Sequence, residues 1–581
     1  MYRRVMAFDF DGTLATDGRV PHELEAALER CRASGHALFL VTGRRFETVA
    51  LGPLGELFNG IVWENGAVLS HCASGEVLLP FGQLSPRLLK ALEEADVPLE
   101  RGLAIAATWA PHDQTIWRVL GTHPYGGGAA VEYNKGAVMI VPSGAAKGAG
   151  LERLLTICGF SPRNLAAFGD AENDLSMLTL AEVGVAVADA VPAVLDMADM
   201  VTVQSGPAGV LEVLRQYPLA GQYYDVPLRR ERPIPIGQAM EQDGSGREIT
   251  LPASRLAGRN LGVFGDSGTG KSWMVGLLAE GMHHQEYQVL LVDMEGDFRG
   301  LQVLPRFLAL DGDRSSMPSP ATVVSLLDAA GVSVVLDLSR YPLELRSGYV
   351  ARLLRVLRPL RERKYRPQWV VLEEAQQLLA PGGEVTEALA PMLEAGGWAL
   401  VSYRPDRMDR AILQGLHHCL LTRLTEPEAV RAVRHFCRDC GADEPAMKEI
   451  PVGAALMCGG PLVLLRSAIR RVTHVRHLFK YLDVPLPPGK RFWFRDARGA
   501  VGKEAASLYE FLQLIPIVPI ESLEYHDRRQ DFVQWSAEAL GDQALAVRLR
   551  KLSNRQLGGE ELRNALRQTV ASHYDELDKL R

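Results

Sequence analysis

Short apolar runs alternate with amphipathic helical patterns along the first part of the chain. The runs at 5–8, 37–41 and 165–168 predict buried strands, and stretches between them, such as 23–29, repeat apolar residues at helical spacing. Strands that alternate with helices are typical of a parallel sheet with helices on both faces. We therefore predict an α/β fold with a Rossmann-like, doubly wound sheet for residues 1–218.

The same alternation resumes at residue 261 and continues to about residue 486. Between the two α/β regions, a Pro- and Arg-rich stretch and a Gly-containing turn at 243–246 predict a linker and a β-hairpin. A Pro-rich boundary at 485–489 precedes a small, mixed segment that ends in a polar helix. The predicted parts are 1–218, 219–260 (linker and hairpin), 261–486, and 487–581 (a small α+β or helical module).

Composition limits the class of protein. A chain of 581 residues is too long for one hydrophobic core, and 47% hydrophobic with 23% charged residues is typical of a soluble globular protein. Seven scattered cysteines indicate a reducing compartment. The start has no room for a signal peptide and no apolar run is long enough for a membrane span, so we expect a cytoplasmic protein without a membrane partner.

Charge gives no support for nucleic-acid binding by the molecule as a whole. The net charge is −7, and the acidic excess lies in residues 1–218, so that the remainder is close to neutral. A local basic patch is still compatible with this balance. The best candidate is the Arg-rich segment 352–366, for which a solvated helix face and a contact with nucleic-acid phosphates are both open readings.

Side chains suited to phosphoryl transfer follow three predicted strands of the first domain. The carboxyl ends of parallel strands meet at one edge of a sheet, where ligands bind in such folds. One aspartate there can attack phosphorus and a second can protonate the leaving oxygen. A lysine can neutralise phosphoryl oxygens, and further carboxylates suit Mg²⁺. The candidates are Asp9, Asp11, Thr42, Lys147, Asp170 and Asp174.

In this order the motifs resemble the haloacid dehalogenase superfamily of phosphatases, in particular its Cof-type (class IIB) branch. The resemblance covers residues 1 to about 215 and is carried by 9–13, 42–44, 64–67, 134–136, Lys147, 169–174 and 184–187. It implies an N-terminal domain with a small cap at about 80–140, which would cover the site and select a phosphorylated small-molecule substrate. The small cap favours an open site.

The resemblance also assigns roles. Asp9 would be the nucleophile and Asp11 the general acid and base, while Thr42 and Lys147 would bind the phosphoryl group. The implied Mg²⁺ ligands are Asp9, Asp11 (through its carbonyl) and Asp170, with Asp174 orienting the metal shell.

A phosphate-binding loop follows the predicted strand at 261–264. Residues 265–272 match G-x-x-x-x-G-K-[ST], in which glycines let backbone N–H groups surround phosphates at a helix N-terminus. Lys271 would reach the β- and γ-phosphates, and Ser272 would ligate Mg²⁺. The predicted ATP-binding residues of this loop are Gly265, Gly268, Gly270, Lys271 and Ser272.

A second element of the ATP site follows another apolar strand, 369–372. Glu373 would act on the Mg²⁺ shell and Glu374 would polarise the attacking water, although a plain helix N-terminus with acidic partners is the alternative.

The P-loop, 290–297, 373–375 and 402–405 together resemble the FtsK/HerA superfamily of ring-forming motor ATPases, over about 226–480. The resemblance implies a RecA-like domain in a homo-oligomer, in particular a hexameric ring, in which Arg404 or Arg423 would serve a neighbouring subunit. Tyr403 departs from the Gln that is usual in this superfamily.

Three functions are compatible with these patterns. Both domains can be active enzymes, with ATP turnover moving or gating a phosphatase substrate. The chain can instead be a nucleic-acid translocase with a phosphate-trimming domain, or a metabolic phosphatase that ATP binding regulates. The C-x-x-C at 437–440 lacks a second ligand pair, so ordinary helix and turn residues are favoured over a metal or redox site.

Overall fold

The N-terminal α/β domain, within residues 4–218, contains a mostly parallel sheet with helices on both faces, two antiparallel strands at one edge and an inserted cap. The computed structural model describes residues 4–46, 48, 51–134, 136–220, 228–240, 246–311, 317–329, 331–339, 341–364, 367–436, 444–458, 463–472, 482, 486 and 488–578. The main sheet has the order β12-β11-β10-β1-β2-β3-β4-β5, and β1 pairs in parallel with both β2 and β10. Its central strands are buried and apolar because helices cover both faces, whereas the short edge strands β5 and β12 are partly exposed.

The strands of this region are β1 (Val5–Asp9), β2 (Ala37–Val41), β3 (Gly60–Trp63), β4 (Val68–His71), β5 (Glu76–Leu78), β6 (Glu100–Arg101), β7 (Ala106–Trp109), β8 (Ala129–Asn134), β9 (Ala137–Pro142), β10 (Leu165–Gly169), β11 (Val183–Ala186) and β12 (Met200–Val201). The helices are α1 (His22–Ala33), α2 (Pro86–Glu94), α3 (Asp113–Thr122), α4 (Lys147–Cys158), α5 (Leu175–Leu180), α6 (Pro192–Met197) and α7 (Gly206–Gln216). The predicted doubly wound α/β fold is confirmed.

The cap is a separate layer. Its antiparallel sheet has the order β6-β7-β9-β8, and one face carries α2 and α3 over a small apolar core that includes Leu88, Ile116 and Ile140. The opposite face turns toward the main domain, because Met139 and Val141 belong to the core of that domain. The cap sheet therefore presents one face to the carboxyl edge of the main sheet.

The second α/β region contains an eleven-stranded sheet with the order β14-β13-β23-β22-β21-β15-β20-β19-β16-β18-β17. Its strands are β13 (Pro233–Ala239), β14 (Glu248–Pro252), β15 (Leu261–Phe264), β16 (Gln288–Asp293), β17 (Phe307–Asp311), β18 (Ser333–Asp337), β19 (Gln368–Leu372), β20 (Trp398–Ser402), β21 (His418–Leu421), β22 (Ala454–Cys458) and β23 (Val463–Ser467). The strands from β15 to β21 pair in parallel, and the remaining four extend the sheet as antiparallel pairs.

Helices cover both faces of this sheet. They are α8 (Ala253–Gly258), α9 (Lys271–His284), α10 (Pro320–Asp328), α11 (Leu343–Lys364), α12 (Ala375–Leu378), α13 (Glu384–Leu389), α14 (Arg410–Gln414), α15 (Pro427–Val433) and α16 (Glu444–Lys448). The hairpin expected within 219–260 is formed by β13 and β14, and β13 also pairs with β23, so this hairpin continues the sheet. The predicted turn at 243–246 lies almost wholly outside the described residues.

The C-terminal region is a small module with its own aromatic core. It contains the hairpin β24 (Phe492–Asp496) and β25 (Gly499–Ala505), followed by α17 (Leu508–Leu514), α18 (Ile520–Arg528), α19 (Asp531–Glu538), α20 (Gln543–Ser553) and α21 (Gly559–Asp578). Phe492 packs against Phe494, Phe511 and Trp535 with ring centroids 5.0–5.4 Å apart. Among the described residues, no helix is both long enough and apolar enough to cross a membrane.

Candidate functional site

Three carboxylates lie together at the carboxyl edge of the eight-stranded sheet. Asp9 ends β1, Asp170 directly follows β10, and Asp174 lies in the 3₁₀ turn after it. One oxygen of each lies within 4.8 Å of the others, and all three side chains are buried. Lys147, at the start of α4, places Nζ 2.5 Å from Asp9 Oδ1 and 2.6 Å from Asp174 Oδ1. The structure thus brings four predicted residues into one cluster.

This cluster fits a magnesium ion. Three carboxylates carry more negative charge than the single lysine balances, and carboxylate oxygens are the ligands that Mg²⁺ prefers. Gly12, with φ of +87°, lets the backbone approach closely, since a Cβ there would lie 2.4 Å from Asp170 Oδ2. Burial raises the pKa of Asp9 well above its usual range, and the Asp174 carboxylate raises it further. A bound cation would favour the ionised form of Asp9.

Lys147 remains protonated in this setting. Burial alone lowers the pKa of its ammonium group, but the carboxylates of Asp174 and Asp9 outweigh that effect and raise the pKa above its ordinary value. The site therefore contains a permanent positive charge beside the candidate nucleophile.

The loop 42–44, the Thr42 loop, lies at the end of β2 and is the proposed binding site for the phosphoryl group in the first domain. Thr42 is buried, and its hydroxyl accepts a hydrogen bond from the Arg44 amide at 3.1 Å. Asn173 donates from Nδ2 to Asn65 Oδ1 at 3.0 Å, and both amides lie close to the position that a Cβ of Gly43 would take. The loop is therefore bordered by buried polar side chains as well as by the carboxylate cluster.

Asp11 lies at the rim and is not part of the buried cluster. Its carboxylate forms a bidentate ion pair with Arg44, at 2.7 Å to Nε and 2.5 Å to Nη2, and both side chains are about two-fifths exposed. The Arg44 guanidinium also lies 5.0 Å from the centre of the Phe10 ring. Sequence reasoning placed Arg44 in the motif but did not find this pair, which holds the candidate acid at the entrance of the site.

The P-loop lies between β15 and α9, as predicted. Gly268 and Gly270 have φ of +77° and +112°, a region that favours glycine. Lys271 begins α9 and donates from Nζ to the Asp266 carbonyl at 2.9 Å. Ser272 Oγ lies 3.3 Å from Glu373 Oε1. The two predicted parts of the ATP site therefore meet at these side chains.

Glu374 is held by a short chain of hydrogen bonds. Gln376 donates from Nε2 to Glu374 Oε2 at 2.5 Å, and its Oε1 accepts from Ser402 Oγ at 2.6 Å. Glu374 itself has φ of +49° at the start of α12. These hydrogen bonds connect the ends of β19 and β20. The role of Gln376 in them was not predicted from the sequence.

A cavity of about 890 Å³ adjoins the P-loop. Its walls include residues 267–274, Glu374, Tyr403, Arg470 and, from the C-terminal module, residues 541–544. Tyr403, which stands where Gln is usual in the FtsK/HerA superfamily, therefore lies on the wall of the cavity beside the P-loop. The wall from the C-terminal module is a long-range contact that no local pattern indicated.

Buried acids extend from Glu373 across the edge of the sheet. Asp293 ends β16 and Asp337 ends β18, in register with each other. Burial, and then the Asp337 carboxylate, raises the pKa of Asp293 to about 7. Burial, and then Asp293, raises the pKa of Glu373 well above its usual range. Asp337 was not among the predicted site residues, although a charged residue closing an apolar strand was a usable signal.

The two arginines considered for a neighbouring site differ in setting. Arg404 pairs with Asp406 at 2.8 Å. Arg423 is exposed, and its carbonyl accepts a hydrogen bond from the Asp266 amide of the P-loop at 2.8 Å. The trans role predicted for one of them stays a prediction.

The basic run on α11 divides into two groups. Arg352, Arg355 and Arg358 are exposed, with Arg358 paired to Glu362 at 2.7 Å. Arg361 stacks 4.9 Å from the Trp398 ring, and burial lowers its pKa to about 10. Lys364 donates to the Cys158 carbonyl of the first domain at 2.8 Å. Arg366 and the C-x-x-C pair, Cys437 and Cys440, lie outside the described residues.

The fold and the two sites define two joined α/β domains. One is a hydrolase domain for phosphate esters, and the other is a P-loop nucleotide-binding domain. A family model described as haloacid dehalogenase-like hydrolase matches residues 6–92 and 122–214. A second model, described as the central domain of helicase HerA, matches residues 234–390. Through these two regions the chain belongs to the haloacid dehalogenase-like hydrolases and carries a HerA-type central domain. Both predicted resemblances are confirmed.

Several curated proteins and solved structures are similar to part of this chain. A phosphoglycolate phosphatase of Methanothermobacter thermautotrophicus is 32% identical over 228 residues, which is 37% of this chain and 98% of that protein. Phosphoglycolate phosphatase 2 of Saccharolobus solfataricus is 38% identical over 84 residues, 14% of this chain and 36% of that protein. A solved haloacid dehalogenase-like hydrolase from Bacteroides thetaiotaomicron is 22% identical with a TM-score of 0.32, covering 37% of this chain and 99% of its own.

Proposed function

We propose that the first domain is a Mg²⁺-dependent phosphomonoester hydrolase that works through an aspartyl-phosphate. The observation that carries this proposal is the buried cluster in which Lys147 bridges Asp9 and Asp174, with Asp170 alongside, at the carboxyl edge of the sheet. Asp9, Asp170 and the Asp11 carbonyl would hold the ion, with Asp174 orienting the metal shell. When bound, Mg²⁺ supplies positive charge that neutralises phosphoryl oxygens.

In the proposed reaction, an Asp9 carboxylate oxygen attacks phosphorus and the P–O bond to the leaving group breaks. Asp11 gives its proton to the leaving alcohol, and then takes a proton from the water that hydrolyses the aspartyl-phosphate. Lys147, Thr42 and the backbone amides beside Thr42 would bind the phosphoryl oxygens. In this structure the Asp11 carboxylate forms the bidentate pair with Arg44, so the acid role requires Asp11 to separate from Arg44 and to carry a proton when the ester enters.

The test is hydrolysis of p-nitrophenyl phosphate with Mg²⁺, followed by removal of the ion with a chelator. Asp9→Asn keeps the shape of the side chain but removes the nucleophile, and should lower kcat by at least about 100-fold. Asp17→Asn is the matched control, because Asp17 lies in the same loop and is exposed. Full turnover in Asp9→Asn, or without a divalent cation, would rule the mechanism out.

For the second domain we propose ATP binding at the P-loop and ATP hydrolysis with Glu374 as the water-polarising residue. The contact between Ser272 and Glu373, and the position of Glu374 on the wall of the cavity, support this role. Mg²⁺ would be bound by Ser272 with Glu373 acting on its shell, and the intact acidic pair favours hydrolysis over binding alone. A homo-oligomer, in particular a hexameric ring, remains part of this proposal.

Nucleic-acid translocation is the second candidate, favoured by the exposed arginines Arg352, Arg355 and Arg358 on α11. It predicts that DNA stimulates ATP hydrolysis, that the stimulation falls with salt, and that reversing the charges at Arg355 and Arg358 abolishes it. Phosphatase rates that respond equally to ATP and to a non-hydrolysable analogue would instead favour a metabolic phosphatase with a regulatory P-loop.

A further inference from the structure

The inner face of the cap sheet contains three rows of side chains that lead from the main domain toward solvent. Along a strand, alternate residues share a face, and cross-strand neighbours form a row. The row nearest the core contains Ala130 and Val141, which are paired in the register of β8 and β9. Val141 is fully buried in the core of the main domain, which fixes the direction in which this face points.

The second row lies over the Thr42 loop of the first domain. Its central residue, Met139, pairs with Ala107 on one side and Glu132 on the other. Met139 Sδ is 3.3 Å from Asn65 Nδ2 and would lie 3.6 Å from a Cβ placed on Gly43. Glu132, as the cross-strand neighbour of Met139, is therefore adjacent to the place where the phosphoryl group would bind.

Glu132 is half-buried and carries a carboxylate on this face. Burial raises the pKa of Glu132, and the Lys147 ammonium group opposes that effect, so the two side chains are close enough to interact. The lysine is already held by Asp9 and Asp174. The carboxylate of Glu132 would therefore lie beside the leaving group of a bound ester, where that group extends from the phosphoryl group toward the cap.

The third row stands at the mouth of the site. Trp109 and Asn134 both pair with Ala137, and Trp109 is about half exposed. A leaving group that passes Glu132 would next meet an indole face and a side-chain amide. Such a combination suits the ring or chain of a hydroxylated compound, whose hydroxyls donate to a carboxylate and whose C–H face packs on an aromatic ring.

We propose that Glu132, with Trp109 and Asn134, selects phosphomonoesters of neutral polyols and sugars and disfavours esters whose leaving group carries a carboxylate. This inference rests on the phosphatase function proposed above. A substrate carboxylate would meet the like charge of Glu132 in a partly desolvated site, whereas a hydroxyl would donate a charge-assisted hydrogen bond to it.

The test uses pairs of esters that differ mainly in one group: 2-hydroxyethyl phosphate against 2-phosphoglycolate, and glycerol 3-phosphate against 3-phosphoglycerate. We expect kcat/KM to be higher for the neutral member of each pair by about tenfold, because the Glu132 carboxylate would repel the carboxylate of the charged member. Glu132→Gln should shrink this ratio toward one, mainly through a lower KM for the carboxylate esters. Glu94→Gln is the matched control, since Glu94 is exposed on α2, on the outer side of the cap.

A wild-type ratio near one, a preference for the carboxylate esters, or an unchanged ratio in Glu132→Gln would overturn the proposal. The phosphatase function itself is judged separately, by hydrolysis of p-nitrophenyl phosphate, which carries neither group. If no ester is hydrolysed, the proposed phosphatase function fails. Calorimetry of the binding of the same ester pairs to Asp9→Asn then tests whether Glu132 favours the neutral member. Equal dissociation constants for the two members would then reject the role of Glu132.

Discussion

At the scale of single residues, the position of Lys147 between two aspartates explains how a buried cluster of charged side chains can be stable and still bind a cation. Lys147 lies between two carboxylates that its ammonium group partly compensates, and the remaining negative charge is what a divalent cation would neutralise. Asp9 ends one strand and Asp170 directly follows another, whereas Asp174 is positioned by the 3₁₀ turn after it.

A buried histidine away from both sites makes stability depend on pH. Burial, and then Arg4, lowers the pKa of His36 to about 4. The unfolded chain binds a proton near pH 6.5 whereas the folded chain does not, so the stabilising effect is complete above that pH and is lost as the pH falls toward 4. Between about pH 7.5 and about pH 5, we expect the first domain to lose about 2 kcal/mol of unfolding free energy.

Urea unfolding of wild type and His36→Gln at the two pH values measures this loss, which should be much smaller in the variant. His22→Gln, at an exposed histidine, should behave like wild type. Equal pH dependence in His36→Gln and wild type would remove His36 as the cause.

The predicted site residues that follow strands or stand in the P-loop could be found because their local context determines where they lie. Asp9, Asp170, Lys271 and Glu373 take the expected positions, although their roles remain proposals. Glu132 could not be found in this way, because its importance arises from cross-strand pairing with Met139 and from the docking of the cap. No local sequence pattern encodes such long-range contacts.

At the scale of elements, the P-loop depends on close packing against the neighbouring strand. Gly265 lies where a Cβ would come within 1.9 Å of Thr422 Oγ1, beyond the end of β21. Thr422 in turn lies 2.6 Å from the Thr269 hydroxyl. The first glycine of the motif is therefore required by packing.

Gly265→Ala should displace the loop and weaken ATP binding by at least about tenfold, since added atoms in a packed site cost about 1–3 kcal/mol. Titration with a fluorescent ATP analogue measures the dissociation constant. Gly489→Ala is the control, because no atom lies within 4 Å of a Cβ at that position. ATP affinity that Gly265→Ala leaves unchanged would contradict the packing argument.

The helices and strands were largely predictable from the sequence, because buried parallel strands have continuous apolar runs and the helices between them have amphipathic patterns. The exception is the hairpin of β13 and β14. Its turn signal predicted two strands but not their partner, and only the structure joins Gly237 to Ser467 and thereby adds the hairpin to the eleven-stranded sheet. Strand partners that are distant in the sequence leave no local signal.

At the scale of the whole molecule, the two α/β domains meet at the amino edges of their sheets. Glu182 immediately precedes β11 and accepts hydrogen bonds from Arg163 at 3.1 Å and Arg232 at 3.2 Å, as well as from the Tyr287 hydroxyl, just before β16. Both candidate sites lie at the opposite, carboxyl edges. The two sites therefore face away from each other, which disfavours direct transfer of a substrate between them.

Glu182 holds this contact together, and removing it should be costly. Glu182→Ala leaves the buried Arg163 with only the exposed Glu286 as a carboxylate partner, at 3.6 Å, and should cost about 3–5 kcal/mol of unfolding free energy. Tyr287→Phe removes one hydrogen bond and should cost about 1 kcal/mol. Chemical unfolding measures both losses, and a Glu182→Ala loss no larger than that of Tyr287→Phe would show that the charge network does not stabilise the contact.

The central claim is that one chain contains two separate phosphate-handling sites. The most direct test measures hydrolysis of ATP and of p-nitrophenyl phosphate by wild type, Asp9→Asn and Lys271→Ala, with and without duplex DNA. We expect Asp9→Asn to lower only ester hydrolysis and Lys271→Ala to lower only ATP hydrolysis, each by at least about 100-fold. ATP hydrolysis that survives Lys271→Ala but disappears in Asp9→Asn would contradict the central claim, because the P-loop would then not be a catalytic site.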